Sequence, residues 1–420
     1  MLAIVFVGSP LFAPMGALAQ GVDAARLRTD LEWIASPDRA GRAAGSPGAK
    51  EVREYIAHAF EDAGCDPGAA GAWYQTVAEN TIAEHPEIHL AAGTSWQNID
   101  LANVVALLPG SMRESGDPNP TALVIGAHYD HLGRDGEDIY AGADDNASGV
   151  AVLLEAAREL AKSGPFRNDI LFVAFDGEEA QTMGSAYYCE HPVVPLEQTL
   201  AMICLDTVGR MQERRLYALA SGSAVEFGDI LRGVNLGFGF DLATPAAGPF
   251  ASDHLPFIEH GVPALHLSTG ANPDYHRTGD TADKIQWETL GETASFVVEL
   301  AAFLADRETA LSFVPPGAEK VAAPAEGGQP RRVSLGTIPD FGKESGGVLL
   351  TGVMPGSPAE KAGLQKGDVV VSLDETPIDN LADLSNVLKA HQPGDEVLVV
   401  VLRDGAKVEQ KVTLVERSSH

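Results

Sequence analysis

The chain has 420 residues, 45% of them hydrophobic and 21% charged, a globular balance that excludes a disordered protein and leaves room for two or three domains. Its 29 Lys and Arg stand against 59 Asp and Glu, a formal charge of −30, which argues against nucleic acid and anionic membrane surfaces as partners. Cys65, Cys189 and Cys204 form no CxxC pair, so they define neither a disulfide framework nor a cysteine-type zinc site.

Residues 1–19 are apolar, broken by Pro10 and Pro14, and close on Ala17-Leu18-Ala19, the small-residue pattern a signal peptidase cuts after. The expectation is a leader over 1–19, a mature chain from Gln20, and export to the periplasm or the extracellular space. No other stretch is long enough to span a bilayer, so the mature chain is expected to have no integral membrane span.

DAARLRTDLEWIAS and GAKEVREYIAHAFEDAG then read as amphipathic helices, the second stopped at Gly64. Five short apolar runs follow: DLANVVALLPG, TALVIGAHYD, NDILFVAFDGEE, TLAMICLDTVG and VPALHLSTG, each ending in polar or glycine-containing sequence. Helical patterns lie between several of them, as in NASGVAVLLEAARELAKSG, where Asn146 or Ser148 can cap the start and Gly164 the end. Strands alternating with helices predict an α/β fold, a mostly parallel mixed sheet flanked by helices on both faces. In such sheets ligands sit beyond the carboxyl ends of the strands. A last helix near Gln286 to Arg307 closes this domain, taken as 20–313.

Residues 314–332, rich in Pro, Ala, Gly and Glu without periodicity, read as a linker. Residues 333–420 change character: short strands, two small helices, and a closing hairpin turned at Asp404-Gly405.

The polar residues that end the apolar runs are His128 and Asp130 in AHYDH, Asp144 and Asp145 in GADDNASG, Glu178 and Glu179 in DGEEA, Asp206 in CLDTVG, and His276 in PDYHRTGD. By the strand-end rule they converge on one edge of the sheet. Imidazoles and carboxylates gathered there repel or titrate one another unless a cation is present, which points to a metal site. Nitrogen and oxygen donors without thiolate suit zinc, with cobalt or manganese as substitutes. Two histidines with four or five carboxylates exceed one tetrahedral ion and fit two ions that share a bridging carboxylate and water.

In this order of motifs, HxD, then D ahead of SG, then EE, then D, then H, the stretch from Arg39 to about Arg307 resembles the co-catalytic two-zinc exopeptidases. That family includes bacterial leucyl aminopeptidase, glutamate carboxypeptidase II and the metal-free transferrin receptor. The resemblance implies that His128 and Asp206 are terminal ligands on opposite metals, that Glu179 serves one metal and His276 the other, and that Asp145 bridges. It makes Asp130 the partner that fixes the His128 tautomer. Glu178 is left off the metals, within reach of the bridging water, as general base and then acid. Tyr275, or Ser252, Asp253 and His254 in a family-like SDH segment, are candidates for oxyanion or substrate contacts.

Residues 333–416 resemble a PDZ domain of the bacterial protease type, with Leu335, Gly336, Thr337 and Ile338 where the carboxylate-binding loop falls. Such a domain captures a peptide carboxyl terminus by strand addition; the alternative is a structural cap. The expectation for the whole chain is an exported metallopeptidase, an aminopeptidase acting on peptides. The alternatives are glutaminyl-cyclase-like, carboxypeptidase or dipeptidase activity on the same fold, or a non-catalytic peptide-binding scaffold.

Overall fold

The computed structural model describes residues 21–77, 100–117, 120–245, 251–270, 272–315, 332–340, 346–403 and 405–416. The expected leader, most of the expected linker and Asp404 lie outside the described residues.

Helix α1 (Ala24–Ile34) starts where the Asp23 carboxylate accepts the backbone N–H groups of Ala25 and Arg26. Helix α2 (Pro47–Asp62) is capped by Ser46 and carries Pro47 in its first turn, where no intrahelical donor is needed. The large sheet then builds from β1 (Ala102–Leu108), β2 (Ala122–His128), β3 (Asp169–Phe175) and β4 (Thr199–Leu205), with α3 (Gly149–Ser163) between β2 and β3 and α4 (Met183–Glu190) after β3. Strand β5 (Arg215–Leu219), α5 (Phe227–Asn235), β6 (Asp241–Ala243), α6 (His254–Glu259), β7 (Ala264–Ser268) and α7 (Trp287–Ala305) complete the domain.

In space these strands run β1-β3-β2-β4-β7-β5-β6, and two short strands, Asp66–Pro67 and Tyr74–Thr76, pair antiparallel with β1. The inner four, β3, β2, β4 and β7, are mutually parallel, whereas β1 and β5 join antiparallel. The expected mostly parallel mixed sheet is therefore present, and the parallel block sends four carboxyl ends to one edge.

Alternation along the strands explains why both faces are covered. Leu123, Ile125, Phe172, Ala174 and Ile203 pack with α1, α2, α3 and α7 on one face, while Val124, Leu171, Val173, Phe175 and Met202 pack with α4 and α6 on the other. Period-two side chains with both faces apolar read in sequence as continuous hydrophobic runs. Phe172 is fully buried against Phe60 of α2; truncating such a core aromatic to alanine costs about 3–5 kcal/mol. Of the two expected caps of α3, Asn146 performs the role: its Oδ1 accepts the Gly149 N–H at 3.0 Å, and Gly164 follows the last turn.

The small carboxyl-terminal domain is an antiparallel sheet of β8 (Thr337–Pro339), β9 (Val348–Val353), β10 (Val369–Leu373), β11 (Glu396–Arg403) and β12 (Ala406–Thr413), in that spatial order. Helix α8 (Leu381–Lys389), opened by a reciprocal Asn380–Asp383 capping box, closes its core. The domain rests on the β5–β6 end of the large sheet. Leu381 packs with Tyr217, Leu219 and Ala243, the Tyr217 hydroxyl donates to Asp340 at 3.3 Å, and Lys366 pairs with Glu213 at 2.9 Å.

Candidate metal centre

Four loops leave the parallel block at the same edge. His128 is the last residue of β2, Glu178 and Glu179 follow β3, Asp206 follows β4, and the loop after β7 returns His276. Asp145 comes from the helical turn Ala143–Ser148 that leads into α3. His276 adopts φ +55°, a left-handed backbone uncommon outside glycine, which turns its ring back toward the strands.

Asp145 stands at the centre. Its Oδ1 lies 3.4 Å from His128 Nε2, and its Oδ2 lies 3.0 Å from His276 Nε2. Asp206 Oδ1 is 3.7 Å from His128 Nε2, and Glu179 Oε2 is 3.4 Å from His276 Nε2. The donors fall into two sets, His128, Asp145 and Asp206 on one side and His131, Asp145 and Glu179 on the other, with His276 reaching the Asp145 and Glu179 carboxylates of the second. Asp145 Oδ2 is buried without a hydrogen-bond partner. An orphaned carboxylate oxygen facing imidazole nitrogens fits a cation between them.

A ring of polar contacts holds these donors. The Asp130 carboxylate accepts the backbone N–H of Glu178 at 3.0 Å and of Glu179 at 3.3 Å. Toward His128 it is more distant: Nδ1 lies 3.2 Å from the Asp130 carbonyl oxygen and 3.7 Å from Oδ1. Asp280 accepts the N–H groups of Asp144 and Asp145. Asp144 turns away from the centre to Gly209 N–H and Asn272, so it ties loops together. The fully buried Arg42 donates to the carbonyl oxygens of Tyr129, Ala141, Gly142 and Asp145.

Without a cation the cluster titrates against itself. Burial pushes the Glu178 carboxyl well above its usual range, opposed by His128 and reinforced by Glu179 and Asp206. Burial also raises Glu179, against His276 and His128. For Asp206 burial acts upward too, but the His128 hydrogen bond and charge outweigh it and the carboxyl falls below its ordinary value. His128 is raised despite its burial, by Glu178, Asp130 and Asp206. Burial brings Arg42 down to about 10, countered by the Asp145, Asp280 and Asp130 charges.

The structure brings together all five expected ligands and both Glu178 and Asp130. Tyr275 stacks on His276 at a ring separation of 4.0 Å. The SDH segment is placed differently from the expected substrate contacts: Ser252, Asp253 and His254 are fully buried beneath the cluster. Ser252 donates to Asp206 Oδ2 at 2.9 Å, so it orients a ligand from behind and has no surface to offer a substrate. At the other domain, Gly336 takes φ +71° ahead of β8, its N–H already bonded to the Ser334 hydroxyl. Sequence reasoning missed His131, whose buried ring touches Glu179, and Arg42. His131 stood in the quoted AHYDH as a further imidazole beside an HxD pair; Arg42 carried no signal, because nothing local marks an arginine as buried.

An α/β sheet whose carboxyl edge gathers nitrogen and oxygen donors in this way, with the Glu178 carboxylate alongside, has the donor chemistry of a metal-dependent hydrolase. Residues 103–301 match the family described as Peptidase family M28, and residues 335–414 match the PDZ domain. Aminopeptidase YwaD of Bacillus subtilis is 32% identical over 189 residues, 43% of this chain and 40% of that protein. The chain thus spans well under half the length of that relative. Among solved structures, the Legionella pneumophila LapA aminopeptidase superposes with a TM-score of 0.54 at 20% identity, covering 70% of this chain and 75% of the other. Porphyromonas gingivalis glutaminyl cyclase gives 0.53 at 21%, covering 67% and 98%. At such identities the likeness is one of fold. Among the described residues no helix is long and apolar enough to cross a membrane.

Proposed function

We propose that the chain is an exported aminopeptidase that removes amino-terminal residues from peptides at a two-zinc centre, held by His128, Asp145, Glu179, Asp206 and His276. The observation that carries this reading is the division of Asp145, one oxygen toward His128 and the other toward His276. Zinc held by these residues would lower the pKa of a bound water from about 15.7 toward 7 and would polarise the scissile carbonyl.

The chain's own residues supply the rest. Glu178 is fixed through its backbone by Asp130 and bears no hydrogen bond from its neighbours' side chains among the described residues, so its carboxylate is available to a proton. It takes the proton of the attacking water and returns it to the leaving nitrogen as the C–N bond breaks. Burial and the surrounding carboxylates hold the Tyr275 hydroxyl well above its usual range, so it stays protonated as a donor for the carbonyl oxygen. Carboxylates at the rim favour a substrate amine over a substrate carboxylate.

Around this centre we take 1–19 as a leader, 20–313 as the peptidase domain, 314–332 as the linker and 333–420 as the PDZ domain, with the loop Leu335 to Ile338 as the seat for a peptide carboxyl terminus. The experiment is a panel of aminoacyl and carboxyl-blocked peptides, with and without chelator. Turnover of free-amine peptides that zinc restores after chelation supports the reading; chelator-insensitive turnover sinks it. Cyclisation of amino-terminal glutamine without peptide cleavage selects the glutaminyl-cyclase alternative, and the absence of turnover with all substrates selects the scaffold.

A further inference from the structure

EE in the sequence does not say which glutamate binds metal, and the structure contains a device that decides. His131 Nδ1 lies 2.8 Å from Glu179 Oε1, while Glu179 Oε2 faces His276 Nε2 at 3.4 Å. Ligands of one tetrahedral zinc with bonds near 2.0–2.1 Å sit about 3.3 Å apart. The His276 spacing suits co-ligands of one ion; His131, although it stands in the same donor cluster, approaches Asp145 Oδ2 only to 3.9 Å while its Glu179 contact is a hydrogen bond in length.

The His131 ring is itself held. Its backbone N–H donates to the Arg42 carbonyl at 3.1 Å, and residue 131 bridges to Ala43. Gly142 lies against the ring, and a Cβ there would come within 2.5 Å of His131 Cδ2. His131 and His276 meet edge to face at 5.9 Å, with Glu179 touching both. His131 is fully buried and its Nε2 has no hydrogen-bond partner.

Resting on the metal-centre reading above, we propose that His131 is a positioning residue that makes Glu179 the metal-binding member of the glutamate pair. It donates from Nδ1 to Oε1, so Oε2 alone is presented, as a single-oxygen ligand, to the site shared with Asp145 and His276. Glu178 has no such partner and is left as the proton carrier.

The test is stepwise cobalt uptake by metal-free protein, followed by visible absorption, in wild type, His131→Ala, His131→Asn and His131→Gln. Asparagine places an N–H where Nδ1 stands; glutamine places its N–H nearer Nε2. Loss of a hydrogen-bonding partner behind a ligand weakens a site about 10–100-fold. His131→Ala is therefore expected to weaken one uptake step by that factor, leave the other unchanged, and be rescued to within a few-fold by His131→Asn but not by His131→Gln. If the alanine variant does not fold, judged by its melting curve, the asparagine and glutamine pair decides alone. Two wild-type-like steps in His131→Ala, or asparagine binding no better than glutamine, overturn the inference while the metal centre stands. Wild-type protein that takes up no cobalt removes the metal centre and this inference together.

Discussion

The Asp130 carboxylate accepts the main-chain N–H of Glu178 at 3.0 Å, so the residue two beyond His128 fixes the proposed base through its backbone. The same carboxylate takes the Glu179 N–H. Asp130→Ala leaves two partly buried donors unmatched, and its cost falls on orientation. It is expected to lower kcat about 10–100-fold, the range for groups one contact removed from a metal site, with KM nearly unchanged. A steady-state comparison on one aminoacyl substrate checks it; a pure KM effect rejects this role.

Glu178→Gln keeps the shape and removes the proton acceptor. Because general acid–base catalysis contributes about 10²–10⁴-fold, hydrolysis is expected to fall by that amount while metal content, measured by elemental analysis, stays at the wild-type level. Loss of metal in this variant means Glu178 is a ligand.

The site was legible because each donor sits where an apolar run stops. His128, Glu179 and Asp206 follow β2, β3 and β4 directly, and in an α/β sheet that position alone predicts convergence. Asp145 and His276 stand further along the loops that follow the apolar runs, and their separate roles, bridge and terminal ligand, came only from the resemblance. Strands β5 and β6 were not anticipated: β6 has three residues, and Arg215 and Asp241 interrupt any apolar run there. The inward turn of Ser252, Asp253 and His254 was equally hidden, because SDH at the start of a short helix reads the same whether it faces substrate or the core. Asp130 was read as the tautomer-fixing partner of His128, and its stronger bonds to the glutamate backbone depend on tertiary geometry that spacing does not encode.

Asp176, between β3 and Glu178, is pushed up to about 7 by burial and then by the Asp130 charge, against hydrogen bonds from Tyr129 and Ala102. Unfolded, an aspartate titrates near 3.9. Between about pH 4 and 7 the folded state therefore keeps a proton that the unfolded state has lost, and stability contributed by this group falls as pH rises. Urea midpoints at pH 5 and 7.5 are expected to show Asp176→Asn with a smaller loss than wild type over that interval. An unchanged pH slope removes Asp176 as its source.

Cys65, Cys189 and Cys204 are all buried and unpaired. Burial, then the Asp66 charge, pushes the Cys65 thiol up to about 12, and burial raises the other two as well. Thiolate is the reactive form, so native protein at pH 8 is expected to resist alkylation by iodoacetamide, with all three positions labelling after denaturation. Mass spectrometry counts the adducts; rapid native labelling shows that one of these sites opens.

The PDZ domain sits where the large sheet runs out, with Leu381 against Tyr217, Leu219 and Ala243. Ribosomes complete the α/β domain before residue 333 emerges, and domains fold as they appear. For that interval the nascent chain displays a tyrosine, a leucine and an alanine beside an edge strand, the kind of surface on which neighbouring chains pair. Docking of the last domain covers that patch, so the carboxyl-terminal module contributes to the packing of the sheet's end whether or not it meets a peptide.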